Sequence, residues 1–284
     1  MEFFICNLVR VVQSPRFYMS LFLTLLCMSL GNFLAFNGIY KIEGLSIFFA
    51  ASSIRGFSPI SLVAALICTL PYSSQIIEDA ESHFLTAQLC RISKKKYLAI
   101  VGSTAIISSF LVFFLPYLLL LGINLLVTPY QEIYIGDYSG ALKELFDSNQ
   151  LLYSLVTTLW YGVWGAVFSI FGLASALLVK KKIGAIFIPV AYMMVGGIFW
   201  AILGLSYLEP VTTLALGYQK DISLSLVSGH LAFILFYLLV VWLFMVHFFY
   251  IQRTMYNETI CSILQKRFFI SIGLFYITAI LCFI

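Results

Sequence analysis

The sequence predicts an all-α, polytopic membrane protein with six to seven transmembrane helices. Hydrophobic residues make up 62% of the 284-residue chain and charged residues only 10%, whereas soluble domains carry roughly 25% charged residues. Apolar runs close to the length of a bilayer-spanning helix, roughly 20 residues, recur at 17–36, 57–77, 97–127, 151–179, 183–206, 231–251 and 268–284. They leave no room for a separate soluble domain. We therefore expect one membrane domain, 1–284, in which 268–284 is a short extra span.

The first apolar run, 17–36, has a rival interpretation as a cleaved signal peptide, because basic residues precede it. The run is long for such a peptide, and no small-residue cleavage pattern follows it. We therefore expect a retained helix, capped by Ser14 and started by Pro15. Before it, Phe4, Leu8 and Val11 recur at helical spacing, which predicts an interfacial helix within 1–16.

The basic residues predict the orientation, because Lys and Arg favour the cytoplasmic side of short loops. Seven alternating spans with a cytoplasmic amino terminus leave four of the 16 basic residues outside, namely Lys41, Arg55, Lys143 and Lys220. The others fall inside. Such an excess predicts a multi-pass protein of a plasma membrane, which we expect to be bacterial, and indicates insertion in lipid rather than binding to nucleic acid.

Two segments between the spans are unusual. The inner segment 76–96 begins with Glu78, Asp79 and Glu81 and ends in basic residues. Acidic residues at the start of a helix and basic residues at its end interact favourably with the helix dipole. The apolar residues of this segment recur at helical spacing, which predicts an amphipathic helix from about 76 to 89. The outer segment 207–230 is apolar but interrupted, which predicts a re-entrant hairpin before the sixth span.

Packing signals lie within the predicted spans. In the fourth, small residues form one stripe along the helix, namely Gly165, Ser169, Gly172 and Ala176. Such a stripe lets another helix approach closely. Pro71 lies inside the second predicted span and Pro116 inside the third, where a proline removes a backbone hydrogen bond and usually kinks the helix.

No Asp, Glu, Lys or Arg lies inside a predicted span, which disfavours a transporter driven by an ion gradient. The sequence also lacks HExxH, GxSxG and GxxxxGK[ST] motifs, and the six cysteines have no CxxC spacing. We therefore expect no catalytic residues, no metal site and no cofactor in this chain. If the protein moves cargo, its energy must come from another subunit.

One segment resembles a known family. The run Glu78-Asp79-Ala80-Glu81-Ser82, followed by Leu85, Leu89, Arg91, Ser93, Lys94 and Tyr97-Leu98, is similar to the cytoplasmic coupling segment of type-2 ABC exporter permeases. Tyr207-Leu208-Glu209-Pro210 resembles the outer hairpin of the same family. Three features depart from it: His83 stands where a glycine is usual, no proline precedes Ser93, and a seventh hydrophobic run follows the usual six.

The resemblance implies a transport subunit that is not itself an enzyme. It would export a peptide, lipid, drug or glycan together with two copies of an ATPase subunit that binds ATP and Mg²⁺. A second permease subunit, identical or different, would complete the complex in the lipid bilayer. The helix at 76–89 would be the coupling helix that the ATPase contacts.

Candidate site residues follow from this interpretation. The expected ATPase contacts are Glu78, Asp79, Glu81, Phe84 and Arg91. A plainer interpretation of the three acidic residues is a solvated helix start. Polar and aromatic residues inside spans are candidates for the pathway, namely Asn32, Asn124, Thr157, Trp160, Tyr161 and Trp164. Tyr207 and Glu209 are candidates for an outer gate.

Two other classes of function remain open. One is an integral membrane enzyme that acts on a lipid-linked substrate, with His83 or His230 near the interface. The other is a non-transporting immunity or sensor subunit that binds the same ATPase. ATP-dependent flux in reconstituted vesicles separates both from a permease.

Overall fold

A computed structural model describes residues 2–36, 45–52, 58–127, 142–179 and 181–202, together with residues 204, 210 and 214. All of them belong to the larger of two units of the chain, Met1–Leu239. Within this described part 89% of the residues are helical and none forms a strand, so the predicted all-α class is confirmed there. The predicted spans 231–251 and 268–284, and nearly all of the predicted hairpin 207–230, lie outside the described residues.

The described helices follow one another in chain order. They are α1 Glu2–Val12, α2 Pro15–Phe36, α3 Leu45–Ser52, α4 Ile60–Thr69, α5 Gln75–Glu81, α6 Phe84–Leu89, α7 Lys94–Val127, α8 Lys143–Ser148, α9 Gln150–Val179 and α10 Lys182–Ile202.

Three of these helices are long and apolar enough to cross a membrane. The qualifying stretches are Pro15–Leu34 in α2, Lys95–Val127 in α7 and Gln150–Leu177 in α9, which correspond to the predicted first, third and fourth spans. Shorter apolar stretches lie in α4 and α10. The described residues therefore have the character of a helical membrane protein.

The second predicted span, 57–77, is not one continuous helix. α4 ends at Thr69, and a turn that contains Pro71 separates it from α5. Leu70 keeps a helical conformation, but Pro71 has no N–H group to bond the carbonyl oxygen four residues before it, which explains the end of α4 at this point. Pro116, by contrast, lies within α7 and does not end that helix.

The predicted helix at about 76–89 is also divided. It consists of α5 and α6, which meet at Ser82 and His83. The backbone of His83 has a φ of 58°, in the left-handed region. Residues in that conformation do not continue a right-handed helix, so the chain changes direction there.

The predicted stripe of small residues on α9 is confirmed as a packing surface. A Cβ atom on Gly165 would lie 2.7 Å from the Phe113 ring of α7. A Cβ atom on Gly172 would lie 2.6 Å from Thr69 of α4 and 2.8 Å from the carbonyl oxygen of Ala185 of α10. The small side chains thus allow α9 to pack closely against three neighbouring helices.

Candidate functional site at the basic end of the bundle

The starts of α2, α7 and α10 lie at the same end of the helix bundle as α5. Ion pairs or hydrogen bonds join α5 to each of these starts, through Arg16, Tyr97 and Lys182 respectively. We call this the basic end, because the basic residues Arg16, Lys95 and Lys181 lie at or beside these helix starts. The opposite end, which holds α8 and the start of α9, is the far end.

Asp79 of α5 is fully buried at the basic end. Arg10 of α1 donates from Nη1 to its Oδ1 atom at 2.8 Å, and the Gln75 amide donates to the same oxygen at 2.9 Å. The Tyr97 hydroxyl of α7 donates to Oδ2 at 2.9 Å. Both carboxylate oxygens therefore have partners, as a buried charge requires.

Glu78 precedes Asp79 and is half-buried. It forms an ion pair with Arg16 at the start of α2, and it accepts a hydrogen bond of 2.9 Å from the Ser74 hydroxyl. Arg16 also donates to Ser74 at 3.1 Å. Two consecutive acidic residues of α5 thus bind two different arginines, one on α1 and one on α2.

A further hydrogen bond joins α1 to the turn before α5. The Tyr72 hydroxyl donates to the side-chain oxygen of Asn7 at 3.0 Å, and both residues are buried. We refer to the connected set as the polar junction, which consists of Asn7, Arg10, Arg16, Tyr72, Ser74, Gln75, Glu78, Asp79 and Tyr97.

Beside the polar junction, α5 and α6 present an exposed tip. Glu81 and Lys182 are 2.6 Å apart, but their side chains are about half exposed, so solvent weakens their ion pair. Phe84 is 43% exposed, and the Arg10 guanidinium lies 5.2 Å from the centre of its ring. His83 and Arg91 are exposed as well.

The five expected ATPase contacts thus fall into two groups. Glu78 and Asp79 bind arginines of this chain in the polar junction, and Asp79 has no exposed surface. Glu81, Phe84 and Arg91 lie at the surface of the basic end. Contact with an ATPase stays a prediction for all five, and only the exposed three present side chains to a partner in this conformation.

The six expected pathway residues also fall into two groups, one shared by α2 and α7 and one on α9. Asn32 of α2 and Asn124 of α7 donate to each other's side-chain oxygens, at 3.1 and 3.5 Å. The other four lie along α9, where Thr157 donates to the Tyr153 carbonyl oxygen at 2.8 Å and Trp164 stacks on Phe168. A role in transport stays a prediction for all six. Tyr207 and Glu209 lie outside the described residues.

Four residues of the polar junction were not predicted as site residues from the sequence, namely Arg10, Arg16, Gln75 and Tyr97. The sequence carries a signal for one of them, Gln75. Gln75 and Asp79 are four residues apart, the spacing at which helical side chains form hydrogen bonds. Arg10 lies 69 residues from Asp79, and no local pattern predicts that pair.

The chemistry of the polar junction is that of a structural ion-pair network. Within the described residues, no group of three or more His, Cys, Asp or Glu side chains is placed to hold a metal ion. No protein-family model, curated protein or solved structure matches this chain in comparisons with known proteins. The proposal for function therefore depends on the residues and their arrangement.

Proposed function

We propose that this chain is the transmembrane subunit of an ATP-driven exporter of the ABC type. It moves a peptide, lipid, drug or glycan across the membrane. Two copies of a separate ATPase subunit, which bind ATP and Mg²⁺, supply the energy, and a second permease subunit, identical or different, completes the pathway.

The polar junction is the observation that carries this proposal. α5 is bound to α1 by Arg10, to α2 by Arg16, to α7 by Tyr97 and to α10 by Lys182. Because these contacts radiate from one short helix, a displacement of α5 acts directly on the starts of three long helices. Such a helix is suited to transmit the movement of an ATPase into the membrane.

The distribution of charge supports a cytoplasmic position for this segment. Among the basic side chains that the structure describes, only Lys143 lies at the far end. Those at the basic end are Arg10, Arg16, Arg91, Lys95, Lys96, Lys181 and Lys182. Basic residues favour the cytoplasmic side. The proposal therefore places α5 and α6 in the cytoplasm of a bacterium, below a bundle of six to seven spans.

The exposed tip defines the surface for the ATPase. Phe84 supplies an apolar side chain, and Glu81 and Arg91 supply charges beside it. Aromatic and arginine side chains contribute most strongly to protein interfaces when they become buried. Under this proposal Glu78 and Asp79, which are also predicted contacts of the ATPase, hold the tip to the helices that it moves.

Purification from native membranes in a mild detergent tests the proposal. We expect an ATPase that contains a GxxxxGK[ST] motif to copurify with the chain, and Phe84→Asp to abolish this association. Leu126→Asp is the matched control, because Leu126 is an exposed apolar residue at the far end of α7. Purification without any ATP-hydrolysing partner contradicts the proposal.

A further inference from the structure

Two long helices begin at the basic end with a basic residue that α5 neutralises. Arg16 at the start of α2 forms an ion pair with Glu78, and Lys182 at the start of α10 forms one with Glu81. The third carboxylate of α5 is bound to an arginine of α1. All three acidic residues of α5 therefore have a basic partner within this chain.

α7 begins with lysines that have no such partner. Lys95 and Lys96 lie in its first turn and are exposed, and neither forms an ion pair with a carboxylate of the described residues. α5 binds this helix through the uncharged hydroxyl of Tyr97 instead. Cations in the first turn of a helix are unfavourable, because the helix dipole is positive at that end. Two unpaired lysines at this place therefore indicate an anion from outside the described residues.

α7 is longer than the hydrocarbon core of a bilayer. Its 34 residues extend about 51 Å, compared with about 30 Å for the hydrocarbon core and about 40–45 Å when the headgroup layers are included. The stretch of α7 that is apolar enough to cross a membrane begins at Lys95 itself. The first turn of α7 therefore reaches the layer in which the phosphate groups of lipids lie.

The side of α7 that carries Lys95 continues into an exposed surface of small and apolar residues. Ala99 and Ile106 follow about one and three turns further along the helix and are exposed. Between them, Gly102 and Ser103 are small and half-buried, and the Ser103 hydroxyl donates to the Ala99 carbonyl oxygen at 2.7 Å. This surface is suited to an acyl chain, which a lipid has and an acidic protein surface lacks.

We propose that Lys95 and Lys96 bind the phosphate group of an anionic phospholipid. The lipid neutralises at the start of α7 the kind of charge that α5 neutralises at the starts of α2 and α10. The bilayer supplies such an anion at the level of the first turn, and the acyl chain lies along the surface below Lys95. The inference concerns only the bundle and holds whichever energy source drives the protein.

Native mass spectrometry of the purified full-length chain in detergent tests this proposal. The protein is titrated with phosphatidylglycerol or with phosphatidylcholine of identical acyl chains, and the bound lipids are counted at each concentration. Both lipids contain a phosphate group, but only phosphatidylglycerol carries a net negative charge. We expect the dissociation constant of the first bound phosphatidylglycerol to be about thirtyfold lower than that of phosphatidylcholine, the factor that two lysines contribute.

The double variant Lys95→Gln with Lys96→Gln should abolish this preference. The matched control is Lys143→Gln with Lys181→Gln, which also removes two exposed positive charges and should keep the preference.

Three results overturn the proposal. The first is an equal affinity of the original protein for the two lipids. The second is a preference that both double variants lower equally, because it indicates a diffuse attraction to the net charge of the chain. The third is a loss of ATPase copurification in Lys95→Gln with Lys96→Gln while the lipid preference stays unchanged, because it assigns the two lysines to a protein partner.

Discussion

At the residue scale, Asp79 shows how a charge is accommodated beside the membrane. Its carboxylate is removed from water, and Arg10, Gln75 and Tyr97 supply the hydrogen bonds that water would otherwise give. Loss of one member leaves the others buried and unsatisfied, which is more destabilising than loss of an exposed pair. Asp79 and Glu81 lie on the same short helix and allow a direct comparison.

Asp79→Asn should lower the stability of the protein by about 2 kcal/mol, because the substitution removes the charge that holds Arg10 and two other donors. Glu81→Gln is the control, since its ion pair with Lys182 is exposed and contributes less than about 1 kcal/mol. Thermal unfolding in detergent measures both. Equal melting temperatures for the two variants contradict the assigned role of Asp79.

His83 is a second informative residue, because its backbone is left-handed. The resemblance to type-2 exporters expects glycine at this place, and the structure supplies a physical reason for that expectation. Glycine adopts positive φ without steric cost, whereas other residues lose about 1–2 kcal/mol there. Histidine at position 83 therefore carries a steric cost that glycine would avoid.

His83→Gly should therefore raise the stability by up to about 1 kcal/mol, and His83→Val should lower it by a similar amount, because a β-branched side chain fits this conformation worst. Melting temperatures of the two variants, compared with the original protein, measure the difference. A stabilised valine variant would show that residue 83 does not adopt the left-handed conformation.

At the scale of elements, the close contact of α4, α9 and α10 depends on a single glycine. Gly172 lies where the three helices meet, and an added methyl group would overlap Thr69, Ser73 and the Ala185 carbonyl group. Two of these neighbours are backbone or branched atoms that move little. The three helices must therefore separate if residue 172 acquires a side chain.

Gly172→Ala should destabilise the protein by about 1–3 kcal/mol, the usual effect of overpacking. Gly122→Ala in α7 is the matched control, because no atom lies within 4 Å of the position its Cβ would occupy. Alanine there should be neutral or stabilising, since it favours a helix more than glycine does. A comparison of the two melting temperatures separates packing from helix propensity, and a harmless Gly172→Ala argues against the close contact.

At the scale of the whole molecule, the two ends of the bundle differ in chemistry. The basic end is held by ion pairs, whereas the far end is held by the Asn32–Asn124 pair and by the aromatic cluster of Phe49, Phe146 and Tyr153. Water weakens an exposed ion pair more than a buried one. Among the ion pairs of the described residues, the Glu81–Lys182 pair at the exposed tip is therefore the one that opens most easily.

Cysteine labelling tests this arrangement. Lys181→Cys and Lys143→Cys lie at opposite ends, and both positions are exposed. A membrane-impermeant thiol reagent should label Lys143→Cys in intact cells, and Lys181→Cys only in inverted vesicles. Labelling of both from the same side would contradict the proposed orientation and the alternation of the helices.

The sequence alone determined that long apolar helices form, because a run of about 20 apolar residues satisfies its backbone groups internally in lipid. α2, α7 and α9 follow directly from that rule, and so does the stripe of small residues on α9. The acidic start of the segment at 76–96 was also visible, since charge order along a helix is a local property.

The tertiary structure decided which side chains meet. Arg10 and Asp79 are far apart in sequence, and their ion pair arises only because α1 packs beside α5. The eight-residue run of α3 is equally ambiguous in sequence, since a short apolar stretch suits a loop, a strand or a buried helix. The Tyr161 hydroxyl donates to the Ser52 carbonyl oxygen at the end of α3, and a Cβ atom on Gly31 would lie 3.1 Å from the Ala51 carbonyl oxygen. These contacts place α3 inside the bundle, because burial among neighbours is a property of the assembled helices.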